Sequence, residues 1–253
     1  GDEPGAPPRY VGCVVRTRER AGSCMKVKRR TWWIVGGLVA ALAAVALIGP
    51  FVYSWFSDEP ATLVSQRIVN DGVITAAELE GVWRIGDGSI VGYRVEEKIA
   101  LADVTAVGRT SDVTGEFTVA NGVLETAEFT VDMSTFASDR SQRDGQFRTR
   151  IMDVATYPTS TFRLTEPVPV PVSTTVATMD SFVATGDLTL RGTTKPVTFE
   201  IYAVIADGRL RLTGSTEVVF REWGIPNPSV PEAFVYTGKT GTLEFDLAFD
   251  PTD

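Results

Sequence analysis

From Gly81 onward, apolar and polar residues alternate with a period of two. Leu243, Phe245 and Leu247 interleave with Thr242, Glu244 and Asp246, and Val197, Phe199 and Ile201 interleave with Thr198, Glu200 and Tyr202. Such alternation turns one face of an extended chain to a core and the other to water, so each run predicts a half-buried strand. The pattern runs through Ser89 to Lys98 on Val91, Tyr93 and Val95, through Val113 to Val119 on Phe117, and through Val123 to Met133 on Phe129 and Val131. It recurs at Thr159 to Leu164 on Phe162, at Phe182 to Leu190 on Leu188, and at Leu210 to Phe220. Turn signals such as Ala120-Asn121-Gly122, Arg191-Gly192-Thr193 and Ala206-Asp207-Gly208 separate the runs. About eight or nine antiparallel strands follow, and periodicity leaves a sandwich and a closed barrel equally open.

One segment breaks the alternation. Ser138 to Met152 is charged throughout, opens on the cap-type residue Ser138 and spaces Phe147 and Ile151 four apart, which predicts a short helix with one apolar stripe. Tyr157-Pro158 ends it. A single helix between strands of an all-β domain suits a plug or lid over one barrel mouth.

The amino-terminal part has a different character. Trp32 to Phe56 carries no charge and would span roughly 37 Å as a helix at about 1.5 Å per residue, enough to cross a bilayer. Trp32, Trp33, Tyr53 and Trp55 stand at its ends, where amphipathic rings favour the headgroup layer. Lys26, Lys28, Arg29 and Arg30 precede it and Asp58 and Glu59 follow, so the positive-inside rule puts the amino end in the cytoplasm and the rest outside the cytoplasmic membrane. A cleaved signal peptide competes with this signal-anchor reading, but no small-x-small site follows the apolar run. Residues 1–24 lack apolar periodicity and precede Met25, the expected natural start. The expected organisation is an upstream extension over 1–24, basic flank and transmembrane anchor over 25–56, a spacer over 57–80 with a short helical stretch at Thr75 to Glu80, and a β domain over 81–253.

Composition narrows the chemistry. The chain of 253 residues contains no histidine, which removes imidazole-based nucleophile systems, histidine general bases and histidine metal ligands. Its two cysteines, Cys13 and Cys24, leave the β domain without thiols or disulfides. Of 24 basic residues eight lie at or before Arg30, and of 32 acidic residues three do, so the remainder of the chain is near −13. That balance disfavours nucleic acid and anionic surfaces as partners. Asp132, Asp139, Asp144 and Asp153 fall in a polar segment where solvation explains them, and they specify no reaction. No cofactor or metal is implied.

Five motifs occur in order: Trp83-Arg84-Ile85-Gly86-Asp87, Gly115-Glu116-Phe117, Asp139-Arg140 with Arg143-Asp144, Tyr157-Pro158-Thr159-Ser160-Thr161-Phe162, and Gly186-Asp187-Leu188-Thr189-Leu190-Arg191-Gly192-Thr193-Thr194-Lys195-Pro196-Val197. Together, from about Gly81 to Phe249, they resemble the YceI-like family of polyisoprenoid-binding proteins. Members of actinobacterial type are the most similar, through Ala106-Val107-Gly108-Arg109-Thr110 and Arg150-Ile151-Met152-Asp153. Gly86 and Gly145 stand where larger or polar residues are common in the family. The resemblance implies an extended, lipocalin-like antiparallel β-barrel of about eight strands with a short helical insert, here preceded by one transmembrane helix. It further implies a non-enzymatic cell-envelope protein whose lumen holds an isoprenoid or similar long apolar chain. Candidate lumen residues are then Tyr93, Phe117, Phe129, Phe147, Ile151, Phe162, Leu188, Phe199, Ile201 and Phe245. The alternating aromatics among them are otherwise read as ordinary core filling. Arg143 and Asp144 are candidates for a lid or headgroup contact, or for an ion pair tying the helix to the barrel. An accessory subunit of a membrane complex, its lumen closed by its own side chains, is the alternative function. Edge strands would pair into a homodimer, towards which the resemblance leans, and Gly36-Gly37 would serve contacts of the anchor.

Overall fold

A computed structural model describes residues 36–45, 48, 61–63, 76–99, 102–170, 180–206 and 209–252. The chain divides into two compact units, Gly1–Val45 and Ala46–Asp253. In the first, residues 36–45 are helical, with Leu38, Val39, Leu42 and Val45 exposed. The remainder of the expected anchor, apart from residue 48, lies outside the described residues, as do its basic flank, Met25 and residues 1–24. Among the described residues no helix is long and apolar enough to cross a membrane.

The second unit holds the β domain. Its strands are β1 (Gly81–Ile85), β2 (Ile90–Ile99), β3 (Ala102–Thr110), β4 (Val113–Ala120), β5 (Val123–Asp132), β6 (Ala137–Ser138), β7 (Thr159–Leu164), β8 (Val168–Pro169), β9 (Asp180–Leu190), β10 (Thr193–Ala206), β11 (Arg209–Val219), β12 (Val235–Thr237) and β13 (Thr240–Pro251). Every pairing is antiparallel, in the order β1-β4-β5-β7-β9-β10-β11-β13, and β13 returns to β1. Among the described residues this is a closed barrel of eight positions, which decides against the sandwich. β1 and β2 are halves of one bent strand. β13 runs beside β2 from Thr242↔Arg94 to Asp246↔Ile90, then beside β1 from Phe249↔Ile85 to Pro251↔Trp83. β3 and β4 form a second bent strand beside it, with β3 on β2 and β4 on β1.

Ala248 of β13 pairs with Arg211 of β11, but the bend between β1 and β2 would leave it without a ladder partner on its other side. Gly86 and Ser89 supply one. The Gly86 amide donates to the Ala248 carbonyl at 2.8 Å, and the buried Ser89 hydroxyl accepts from the Ala248 amide at 3.0 Å while donating to the Gly86 carbonyl at 2.8 Å. Arg209 pins the bend from outside by a two-pronged pair with Asp250, at 2.8 and 2.6 Å, and a bond to the Asp87 carbonyl. A Cβ at position 86 would run into both side chains of that pair, so glycine fits there.

β13 shows how alternation becomes a wall. Leu243, Phe245, Leu247 and Phe249 face the lumen, whereas Glu244 and Asp246 face outward yet are only 1% and 3% exposed. Asp246 is held by Arg211 at 2.6 Å. Glu244 accepts from the amide of Leu63 at 3.1 Å and lies 3.5 Å from Arg109, which also donates to the Ala61 carbonyl. Residues 61–63, part of the stretch read as a spacer, thus lie across the outer wall, with Leu63 wholly buried.

Two expectations need correction. β3 was not among the predicted strands: Ala102, Ala106 and Val107 are all buried, so both faces are covered and no alternation is left to read. The insert is a helix α1 (Ser141–Gln146) running directly into a π-helical turn over Phe147–Ile151. Ser138 does not cap it. Arg140 occupies that position without a side-chain cap, and Asp144 reaches back instead to accept from the Ser138 amide at 2.9 Å and hydroxyl at 2.6 Å. The short helical stretch expected at Thr75 to Glu80 is present, as a single turn over Ala76–Leu79.

Removing the Ser89 hydroxyl should open the seam. Ser89→Ala leaves the buried Ala248 amide without a partner and should lower unfolding free energy by about 1–3 kcal/mol in urea titration. A variant as stable as the parent would show that the seam does not depend on this contact.

Candidate functional site

The inward residues of β13 trace the barrel axis. Gly241 and Leu243 line one chamber, Leu243, Phe245 and Leu247 a second, and Phe249 a packed end. The outer chamber, beneath the insert, has an empty volume of about 770 Å³ counted out to where it meets solvent. The inner chamber has about 640 Å³. Leu243 lines both, so they stand end to end along the lumen.

Nine of the ten candidate residues line these chambers. Tyr93, Phe147 and Ile151 line the outer one, and Phe129, Phe162, Leu188, Phe199, Ile201 and Phe245 line the inner one. Phe117 lines neither: it packs between Trp83, stacked at 6.1 Å, and Phe249, edge-on at 4.8 Å, and fills the barrel end instead. The inner-chamber rings form a continuous ladder of contacts, Phe129–Phe162 at 6.4 Å, Phe162–Phe199 at 5.5 Å and Phe199–Phe245 at 5.4 Å. In the outer chamber Tyr93 stacks on Phe147 at 5.1 Å, and Phe136 leans on both.

Glycines make room for these rings. A Cβ at Gly108 would meet the Tyr93 ring at 2.3 Å, one at Gly186 the Phe162 ring at 2.5 Å, and one at Gly214 the Phe245 ring at 2.6 Å. Tyr93↔Gly108 and Gly214↔Phe245 are cross-strand partners, so each ring lies over its neighbour's bare backbone. Gly115, opposite Phe129, also sits at φ +145°, a conformation that L side chains rarely adopt. Strand glycines facing aromatics were the sequence signal for this arrangement. Phe136, Met133, Met152 and Phe220 line the outer chamber without having been singled out, because they sit on short helical turns and loops where no period betrays the inward face.

The insert brings the polar groups. Arg143 lines the outer chamber with Glu97, 3.4 Å away, and donates to Asp139 as well. Arg143 and Glu97 side chains are only 14% and 12% exposed. Burial works against the guanidinium's charge, but Glu97 and Asp139 outweigh it and hold its pKa above the ordinary value. Asp144 does not line the chamber; its carboxylate is turned to Ser138. Burial, which disfavours phenolate, pushes the Tyr93 hydroxyl well above the usual tyrosine range; Arg143 opposes the shift and Asp144, Glu97 and Asp139 add to it. Among the described residues no group of three or more His, Cys, Asp or Glu is placed to hold a metal ion.

The family model for the YceI-like domain matches residues 87–249. No curated protein matches the chain. A polyisoprenoid binding domain from Saccharophagus degradans implicated in plant cell wall breakdown is similar in structure, with TM-score 0.53, 14% identity, and coverage of 68% of this chain and 99% of that one. Burkholderia cenocepacia BcnA gives TM-score 0.49 at 16% identity, covering 63% of this chain and 95% of its own. The first of these likenesses supports the barrel fold.

Tyr93 sets an alkaline limit. Its folded pKa is raised, so above the ordinary tyrosine value of about 10 the unfolded chain releases a proton that the folded chain keeps, and stability falls as pH rises. The loss should approach at most about 1.4 kcal/mol per pH unit from this group. Tyr93→Phe should flatten the curve above pH 10 by that amount in denaturant titrations. Parallel curves for variant and parent would contradict the assignment.

Proposed function

This chain belongs to the YceI-like family, and on that premise we propose that it is a lipid-binding barrel holding an isoprenoid or similar long apolar chain in its lumen. Two apolar chambers end to end along one axis carry this reading. An elongated chain laid along them is removed from water over most of its length, at about 0.8 kcal/mol per methylene-sized unit. The packed end at Trp83, Phe117 and Phe249 sets the depth, and the insert marks the entrance. The family is one of binding proteins, and the role proposed is to bind, with no covalent step. The uncharged run from Trp32 to Phe56 and its basic flank support a membrane-tethered protein with the barrel outside the cytoplasm.

The aromatic ladder from Phe129 to Phe245 supports a second reading, an accessory subunit of an envelope complex whose lumen is closed by its own rings. Organic extraction of the purified protein followed by mass spectrometry separates the two. An isoprenoid lipid in the extract is expected, and an empty protein that also fails to take up added lipid would favour the accessory role.

Affinity should rise with isoprenoid length. Phe199→Trp should narrow the inner chamber and weaken the longest chains roughly tenfold, since about 1.4 kcal/mol is under two methylenes of burial, while leaving the melting temperature nearly unchanged. A variant that is destabilised but binds as the parent does would remove Phe199 from the ligand path. For the tether, protease added to intact cells should degrade the barrel; protection of the barrel in intact cells would reverse the topology.

A further inference from the structure

Part of the β domain projects past the mouth of the barrel. Beyond Arg94, β2 leaves β13 and pairs with β12 instead, from Thr237↔Glu97 to Val235↔Ile99, while β3 follows β2 as far as Ile99↔Ala102. These three strand ends form a flap beyond the start of β13. Glu97 of the flap and Pro228, shortly before it in the chain, line the outer chamber, and Arg150 of the insert donates to the carbonyls of Asn227 and Pro228 at 3.0 and 2.7 Å. Flap and insert therefore frame one opening. The turn into β12 is braced, since the Val230 and Val235 amides each donate to the other's carbonyl and the Thr237 amide donates to the Ser229 hydroxyl at 2.9 Å.

The flap turns aromatic rings to solvent. Phe234 and Tyr236 are 65% and 50% exposed, and among the described residues of the β domain Val183, on β9, is the only other large hydrophobic so exposed. Phe234 also holds φ +56°, the left-handed region in which glycine or asparagine ends a helical turn at less cost. The turn needs no phenyl ring and the barrel does not bury it, so the ring's use lies outside the barrel. Cations are not in excess around it: Lys98 pairs with Asp103 at 2.7 Å, and exposed Lys239 is balanced by exposed Glu232. A phenyl and a phenol beside an opening, with the charges around them balanced, fit the headgroup layer of a bilayer, where such rings partition without help from anionic lipid.

Chain length brings that layer within reach. Arg109 holds the Ala61 carbonyl against the outer wall, and Glu244 holds the Leu63 amide. From Phe56, the end of the uncharged run, to Ala61 is five residue steps, at most roughly 18 Å of extended chain. From Ala102 at the flap to Arg109 is seven steps of β3, about 23 Å of strand, or about 18 Å along the axis at the usual tilt of barrel strands. A tether that starts at the bilayer surface thus permits the flap to rest on that surface. Resting on the tethered, lipid-binding reading above, we propose that the flap docks in the headgroup layer of the membrane that anchors the chain, with Phe234 and Tyr236 as the inserted side chains and the mouth turned to the bilayer. A long apolar chain then passes between bilayer and lumen without crossing bulk water.

The test reconstitutes the full chain, carrying Cys13→Ser and Cys24→Ser, in phosphatidylcholine vesicles and places one nitroxide at a time through Phe234→Cys, Tyr236→Cys or Val183→Cys. Power saturation then compares access to oxygen, which concentrates in lipid, with access to a water-soluble nickel chelate. The labels at positions 234 and 236 should favour oxygen over the chelate severalfold more than the label at position 183, with no change when anionic lipid or salt is added. A label at position 234 as open to the chelate as the one at position 183 would overturn this inference and leave the lipid-binding reading intact. Spin–spin broadening at position 234 would show a second copy of the chain covering the flap and would overturn it as well. A chain that fails to float with the vesicles would overturn the tethered reading and this inference together.

Discussion

Closure at β13 is the constraint on which the rest of the molecule depends. An antiparallel sheet with exposed edges has no interior, whereas eight strands joined edge to edge enclose one just wide enough for side chains or a slender ligand. Here one strand must pair with two successive pieces of a bent partner, and Ala248, completely buried, lies where the partner changes. Gly86 and Ser89 satisfy both of its backbone groups. Without them, closing the ring would bury an unpaired amide and carbonyl.

Closure also explains how a lumen can be both packed and hollow. Trp83, Phe117 and Phe249 interlock at one end, while Tyr93, Phe162 and Phe245 further along lie over glycines of neighbouring strands. Laying a ring on bare backbone keeps its apolar area buried and leaves the axis free. The π-helical turn over Phe147–Ile151 adds to this by presenting Phe147 and Ile151 to the outer chamber together, and Arg143 follows from the preceding helix.

Charge is handled differently on the two sides of the wall. Outside, Glu244 and Asp246 are buried against arginines and the amide of Leu63, which ties the residues before the barrel to its surface. Inside, Glu97 and Asp139 neutralise Arg143 at the entrance. Removing one member of such a pair leaves the other buried without a partner, which costs more than the pair itself contributes.

Much of the architecture is a local property and was legible as such. Alternation in Leu243 to Leu247 or Val197 to Ile201 sets the strand conformation and the shared face, because successive side chains of an extended chain must point to opposite sides. The absence of histidine, and of cysteine beyond Cys24, bounds the chemistry on composition alone. What alternation does not carry is register across distant strands. Only the folded chain decided for a barrel over a sandwich, put Phe117 in the packed end while Phe129 lines a chamber, and put Arg140 at the helix start with Ser138 bound to Asp144 instead of capping. β3 and the outward-facing Glu244 were illegible for the same reason: their burial is imposed by segments far away in sequence, such as Leu63, and a pattern read along one strand holds no record of what lies across it.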